Sequence, residues 1–384
     1  MTNNLRQKML DYIARHQLLD LASSVAVPVV VMLSGGGDSV ALLHLLKRAI
    51  AAGDANLDIS VLHFNHQLRG EQSRADEAFV TDLCKQLDLP LQLHRCDVAA
   101  YAGEHKLNLE DAGRILRYQA AQQQLDQHCA HHQLAADCGR ILTAHTRDDR
   151  VENFFARAIF GAGLGALAGI APRRGRIVRP LLNIDRRELR EWLLAKGHAW
   201  REDPSNDDLS KTRAFIRARI VPEAEKLRPN FRQNLARTMD LIAGDDRLLS
   251  DMARGFARDF CLSRQAEQRI VLDVPLLLTL DPVMTRRTLR SAITETFSDA
   301  ARLDAAHIEA IMGGLDVLRQ QVNTAAETPA EQVSKKVSST QVLFARDIPP
   351  GLRVQLKYAT IEIARIAPAD LHNGSEDGQK KEGS

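Results

Sequence analysis

The segment that most constrains the fold runs from Val25 to Leu46, VAVPVVVMLSGGGDSVALLHLL. An apolar run ends at Ser34-Gly35-Gly36-Gly37-Asp38-Ser39, and apolar residues resume at Val40, Leu42, Leu43, Leu45 and Leu46. A continuous apolar strand is buried on both faces, as in parallel sheets covered by helices. The pattern therefore predicts a buried strand, a glycine turn and the start of a helix. Three glycines in a row let backbone N–H groups turn inward without a side-chain clash, and the helix N-terminus adds unpaired donors and the positive end of its dipole. Such a loop suits a phosphate. It lacks the Gly-Lys-Ser/Thr ending of a Walker-type loop and places an acid, Asp38, where a phosphate would repel it. A carboxylate beside a polyphosphate calls for Mg²⁺ between them, which makes Asp38 the candidate metal ligand.

At 384 residues the chain has room for two or three domains, and 45% hydrophobic with 26% charged residues is ordinary for a globular protein. No apolar stretch reaches membrane-spanning length and the first residues, MTNNLRQKMLDYIARHQ, are polar and amphipathic; the expectation is a cytoplasmic protein with no membrane partner. Five scattered cysteines without a Cys-x-x-Cys pair argue against a disulfide scaffold, a zinc ribbon or an iron–sulfur cluster. A net charge of +2 does not announce nucleic acid, so that claim rests on where the basic residues fall.

In chain order, residues 4–20 read as an amphipathic helix and Ile59–His66 as a second buried strand. His63, Asn65 and His66 sit at its C-terminal end, where open α/β sheets bind ligands. A helix from Ser73 (as N-cap) to Leu87, a strand over Leu91–Asp97 and a loop over Val98–Lys106 follow. Asn108 opens a long helix that presents Arg114, Arg117 and Tyr118 along one side. Arg140–His145 is a fourth strand feeding the helix Thr146–Phe160, where Asp149 and Glu152, three apart, share a face. That pair suits Mg²⁺ or a cationic substrate group. Gly161–Gly169 reads as a flexible loop. Arg173, Arg174, Arg176 and Arg179 form the clearest basic patch, suited to a phosphate backbone, and KTRAFIRAR, residues 211–219, is a second basic run. A helix over Ile184–Gly197 with Asp185 as N-cap lies between them. Strands alternating with helices over about 210 residues make an α/β domain with a mostly parallel sheet. The division expected is a catalytic domain over 1–220, an arginine-bearing helical domain over 221–320, a polar linker over 321–340, a small β element over 341–367 and a disordered tail over 368–384.

The glycine loop SGGGDS resembles the signature of the N-type ATP pyrophosphatases, the PP-loop family. Six ordered blocks, SGGGDS, HFNHQLRG, NLEDAGRILRY, AHTRDDRVENFFARAIFGAGLGALAGI, RPLL and EDPSN, spread over about residues 24–220, are similar to one branch of it, the tRNA(Ile)-lysidine synthetases. The resemblance implies an adenine-nucleotide α-hydrolase (PP-loop) fold and a two-step reaction. The C2 oxygen of the wobble cytidine in a CAU-anticodon isoleucine tRNA attacks the α-phosphate of ATP and pyrophosphate leaves; the ε-amine of free L-lysine then displaces AMP. It implies that Ser34, Gly35, Gly36, Gly37, Asp38 and Ser39 hold the pyrophosphate, with Asp38 on Mg²⁺. It places His63, Arg114 and His145 on the nucleotide side, Asp149 and Glu152 at the lysine ammonium, and Arg213 at the adenylate. The basic side chains Arg173, Arg174, Arg176 and Arg217 would meet the tRNA, and a homodimer is compatible with the family. The chain departs from the family pattern at Thr146, Arg150 and Asn153, where histidine, glutamine and threonine are expected, and at Ala214, where asparagine is common.

Three other readings compete. A tRNA 2-thiolase of the same fold would carry paired cysteines, which are missing here. A small-molecule ligase related to the NAD or GMP synthetases would not need the arginine window 173–179. An RNA-binding protein that has lost catalysis would not need to keep Asp38, Asp149 and Glu152.

Overall fold

The computed structural model describes residues 2–66, 71–202, 208–299, 303–326, 341–349 and 351–366. It divides into two compact units, Met1–Ala243 and Gly244–Ser384. The first unit contains, in order, α1 (Thr2–Arg15), β1 (Val27–Met32), α2 (Gly37–Ala51), β2 (Leu57–Asn65), α3 (Glu71–Gln86), β3 (Leu91–Arg95), α4 (Val98–His105), α5 (Leu109–His131), β4 (Arg140–Leu142), α6 (Arg147–Phe160), α7 (Leu164–Leu167), β5 (Arg173–Arg174), β6 (Ile177–Val178), α8 (Arg186–Ala195), α9 (Thr212–Phe215) and α10 (Val221–Leu227). The helix α11 (Phe231–Asp259) runs through the division.

The sheet of the first unit has the order β3-β2-β1-β4-β6-β5 and is parallel except for the short β5–β6 hairpin. β1 lies between β2 and β4, so the chain winds outward from it in both directions, and the crevice beyond the carboxyl ends of β1 and β4 is a topological switch point. Val29, Val30 and Val31 of β1 have no exposed surface, and α2 is buried from Val40 through Leu46. This is why the segment shows no alternation: strand and helix are both covered all round. Leu42, Leu43 and Leu46 share one core with Leu5, Met9 and Ile13 of α1 and with Leu189 and Leu193 of α8.

Several local expectations change. Val98–His105 is a helix rather than a loop, with the Asp97 carboxylate accepting from the Ala100 N–H at 2.9 Å. Its few buried positions, Val98 and Ala102, left no apolar period to read. Ser73 lies inside α3 rather than capping it, because the helix already begins at Glu71, an acid suited to its first turn. Within Gly161–Gly169 the chain forms α7. Residues 67–70 and 203–207, which complete the HFNHQLRG and EDPSN blocks, lie outside the described residues.

In the second unit, β7 (Cys261–Gln265), β8 (Arg269–Asp273), α12 (Val274–Thr279), α13 (Pro282–Thr296), α14 (Ala305–Ala326), β9 (Val342–Ile348), β10 (Leu352–Lys357) and β11 (Thr360–Arg365) pack together. The strands form one antiparallel sheet in the order β7-β8-β11-β10-β9. Ile270 and Leu272 of β8, Leu289 and Ile293 of α13, Ile308 and Leu315 of α14 and Ile361 and Ile363 of β11 bury one core. The expected small β element is therefore the far half of a sheet begun by residues 261–273, and α14 extends through residues 321–326 of the expected linker. The rest of that linker and the tail lie outside the described residues. No helix among the described residues is long and apolar enough to cross a membrane.

Candidate active site

The glycine loop joins β1 to α2 at the switch point. Gly35 has φ +88°, a left-handed conformation that favours glycine, and Gly36 is the N-cap of α2. A glycine cap brings no side chain to the first N–H groups of the helix, which leaves these donors for an anion. The Ser34 and Ser39 hydroxyls lie 3.1 Å apart across the turn, and Ser39 also donates to the Gly36 carbonyl at 2.9 Å. On the far side Arg201 donates its backbone N–H to the Gly35 carbonyl at 2.9 Å, and the Trp200 ring lies over Gly37, where an added Cβ would come within 3.4 Å of it.

β4 delivers the second half of the site. Thr146 caps α6, donating to Asp149 Oδ2 from its backbone N–H (2.6 Å) and its hydroxyl (2.9 Å). Both oxygens of Asp149 are used: Oδ1 accepts from Arg186 Nη2 at 2.9 Å. Glu152, one turn on and almost fully buried, accepts from Arg186 Nη1 at 3.3 Å and is held bidentately by Arg217, Nε at 2.7 Å and Nη2 at 3.0 Å. Asp38 Oδ2 accepts from Arg186 Nε at 2.9 Å. Asp38, expected at the pyrophosphate, and Asp149 and Glu152, expected at the lysine ammonium, thus converge on one point, and that point is occupied by the chain's own guanidinium. A fourth acid, Asp148, accepts the backbone N–H of Arg186 at 2.7 Å and pairs with Arg232.

The environments of the acids differ. Asp38 is pushed up to about 6 by burial, with the Asp149 and Asp148 charges adding to it and Arg186 opposing it. Its Oδ1 is buried and has no hydrogen-bond partner among the described residues. For Asp149, burial works the same way, but Arg186, His145 and the Thr146 donors outweigh it and hold it below the usual carboxylate range. A buried carboxylate oxygen left without a hydrogen bond among the described residues, on an acid that feels the charges of two more at an anion loop, suits the all-oxygen donor set of a hard cation, so these residues fit Mg²⁺.

The remaining candidates are placed as follows. His63 is buried and its Nδ1 lies 2.8 Å from the Leu33 carbonyl; since a carbonyl only accepts, Nδ1 carries the proton and braces the end of β1. His145 Nδ1 is 2.9 Å from the Thr143 hydroxyl, and burial with the nearby Arg179, Arg213 and Arg114 charges lowers it to about 4, against the pull of Asp149. It is neutral at physiological pH. Arg114 is exposed on α5, 5.7 Å from the centre of the Tyr118 ring. Arg213 is exposed on α9. Arg217 does not stand free in the basic run: its backbone lies in a π-helical turn, Ile216–Ile220, and its guanidinium is spent on Glu152. In the arginine window, Arg173 and Arg174 are exposed on the β5–β6 hairpin, Arg176 is paired with Asp126, and Arg179 is buried, donating to the Ala171 carbonyl at 2.7 Å.

Three of the four departures from the family pattern have a place in the structure, and nothing in it explains Asn153. Thr146 forms the cap just described, and Arg150 is buried against Asp240, with Nη2 at 2.6 Å from Oδ1. Ala214 is buried. The residue sequence reasoning missed is Arg186. A signal existed: Arg186 and Arg187 open α8, where a positive charge opposes the helix dipole. A broken local rule of this kind marks a residue whose partners lie elsewhere in the fold.

Residues 5–224 match the family model described as a PP-loop domain. A tRNA(Ile)-lysidine synthase of Geobacter sulfurreducens is 35% identical over 84% of this chain and 66% of its own length. That of Symbiobacterium thermophilum is 32% identical over 97% of this chain and 71% of its own length. Across the first four such relatives the chain spans 48–66% of their length. Among solved structures, a U34-tRNA thiolase of Methanococcus maripaludis superposes with a TM-score of 0.48 at 17% identity, over 63% of this chain and 78% of that one. The family model covers more than half of the chain and the Symbiobacterium relative nearly all of it: this chain belongs to the PP-loop family, in the branch of the tRNA(Ile)-lysidine synthases.

Proposed function

We propose that this chain joins free lysine to C2 of the wobble cytidine of a CAU-anticodon isoleucine tRNA at the expense of ATP, releasing AMP and pyrophosphate. The modified base then reads AUA instead of AUG, and the tRNA changes from methionine to isoleucine identity. The observation that carries the reading is the convergence of Asp38, from the anion loop, with Asp149 and Glu152, from the helix across the switch point, on a single cation-binding point.

In the first step the cytidine C2 oxygen attacks the α-phosphate and the bond to the pyrophosphate breaks. The bare N–H groups at the start of α2 and the Ser34 and Ser39 hydroxyls hold the departing charge, and the neutral His145 imidazole serves the nucleotide as a hydrogen-bonding group. Mg²⁺ on Asp38 would neutralise phosphate charge. In the second step the lysine ε-amine attacks C2 and AMP leaves. That amine is protonated near neutral pH, so Asp149 and Glu152 first attract it as an ammonium and then assist its deprotonation. Arg213, a fixed cation, faces the adenylate. The exposed Arg173 and Arg174, with the arginines of the helices after Phe231, take the tRNA backbone in a cytoplasmic reaction.

Arg186 gives the scheme a counter-ion. Four acids within one crevice repel one another unless a cation joins them, and here the protein supplies its own. Incoming Mg²⁺ or lysine ammonium competes with that guanidinium. The test follows nucleotide products: with the isoleucine tRNA and lysine present, ATP yields AMP and pyrophosphate, and leaving out the tRNA stops both. AMP formed at the full rate without tRNA would assign the chain to a small-molecule ligase.

A further inference from the structure

At the opposite end of β2 from the crevice, three side chains unrelated to the nucleotide site meet. His128 and His132, four apart at the C-terminal end of α5, share one helix face. Asp58, the second residue of β2, points between them: its Oδ2 lies 2.7 Å from His128 Nε2 and 2.6 Å from His132 Nε2. Hydrogen bonds from the two imidazoles outweigh burial and hold Asp58 below its usual carboxylate range, so the carboxylate is charged. With β2 rising about 3.3 Å per residue, Asp58 is roughly 23 Å from Asn65 at the crevice end, too far to serve the acids there.

We propose that Asp58, His128 and His132 form a binding site for a borderline divalent metal of the zinc class. Two imidazole nitrogens and one carboxylate oxygen are the donor set of three-ligand zinc sites, in which water takes the fourth position. The three donor atoms lie within 4.8 Å of one another. Tetrahedral ligands about 2.0 Å from a metal are about 3.3 Å apart, so the carboxylate must withdraw by roughly 0.6 Å as the metal replaces the bridging protons. Asp58 and His132 have 36% of their side chains exposed, which leaves room for that shift and for the water, while His128 is largely buried and fixed. Mg²⁺ prefers an all-oxygen octahedron and does not compete here. The bound ion ties the start of β2 to the end of α5, the helix whose other end carries Arg114 and Tyr118. The competing structure is a hydrogen-bonded His–Asp–His clasp that needs no metal.

The test uses the full-length protein freed of metal with a chelator and titrated calorimetrically with zinc chloride in millimolar Mg²⁺. Wild type is expected to bind one zinc per chain saturably, and zinc is expected to raise its melting temperature. His132→Ala, a change at a half-exposed position that keeps the fold, is expected to bind zinc at least about a hundredfold more weakly, beyond the loss typical of a partner that only orients a ligand, and to lose the thermal response. Cys138→Ser, at the exposed cysteine, is expected to bind as wild type does. Absence of saturable binding, or undiminished binding in His132→Ala, overturns the site.

Discussion

Replacing Arg186 with glutamine is expected to lower the stability of the free protein by about 3–5 kcal/mol, the usual cost of removing one partner from a buried ion pair. For a unit of this size that is about 6–10 °C in melting temperature. The reason is electrostatic: Asp38, Asp149 and Glu152 all pair with this guanidinium, and without it, among the described residues, only Arg217 remains paired with the group, at Glu152. The expected signature is a response to cations. Millimolar Mg²⁺ recovers part of the loss in Arg186→Gln and shifts wild type much less, because wild type already contains its counter-ion. Arg186→Lys, with one charge but without a fork that reaches three carboxylates, falls between the two. Differential scanning calorimetry with and without Mg²⁺ decides it. A glutamine variant as stable as wild type, with the same Mg²⁺ response, would remove Arg186 from this role.

The second large effect is a separation of stability from activity at Asp38. Its carboxyl is raised to about 6 in the folded chain from an ordinary value near 3.8. A raised carboxyl binds its proton more tightly folded than unfolded. It therefore supports folding fully below the unfolded value, and that support is lost as pH rises through about 6. Near pH 8 the charged form is a liability to the fold. Asp38→Asn removes it and is expected to leave stability at pH 8 unchanged or slightly higher, while ATP turnover falls by at least about a hundredfold, the scale of losing one charge-stabilising group. The stability gain should vanish toward pH 4, where both side chains are neutral. Pyrophosphate release measured beside denaturant unfolding at both pH values checks this; turnover within a few-fold of wild type would take Asp38 out of the reaction.

The two residues show what can be read from a sequence and what cannot. Asp38, Asp149 and Glu152 were accessible because their signals are local: an apolar strand ending in glycines, and two acids one turn apart on a helix after a strand. Asn108, Thr146 and Asp185 marked helix starts for the same reason. Arg186 sits 148 residues from Asp38 and 37 from Asp149, and no window of the chain contains that relation. The second unit failed in another way. β7 is almost wholly exposed and polar, and β8 offers only Ile270, Val271 and Leu272 between helical stretches, so neither carries a period long enough to tell strand from helix. Pairing with β11, from nearly a hundred residues later, makes them a sheet. The arginine window shows a third limit. Charge run alone could not separate the exposed Arg173 and Arg174 from Arg176, neutralised by Asp126, or from the buried Arg179.

The central claim is tested most directly by incubating the protein with ATP, Mg²⁺, labelled lysine and unmodified CAU-anticodon isoleucine tRNA, and counting label in the recovered RNA. Lysine transfer predicts label in that tRNA and little in a methionine tRNA with the same anticodon. Label absent from the isoleucine tRNA, or entering both equally, would contradict it.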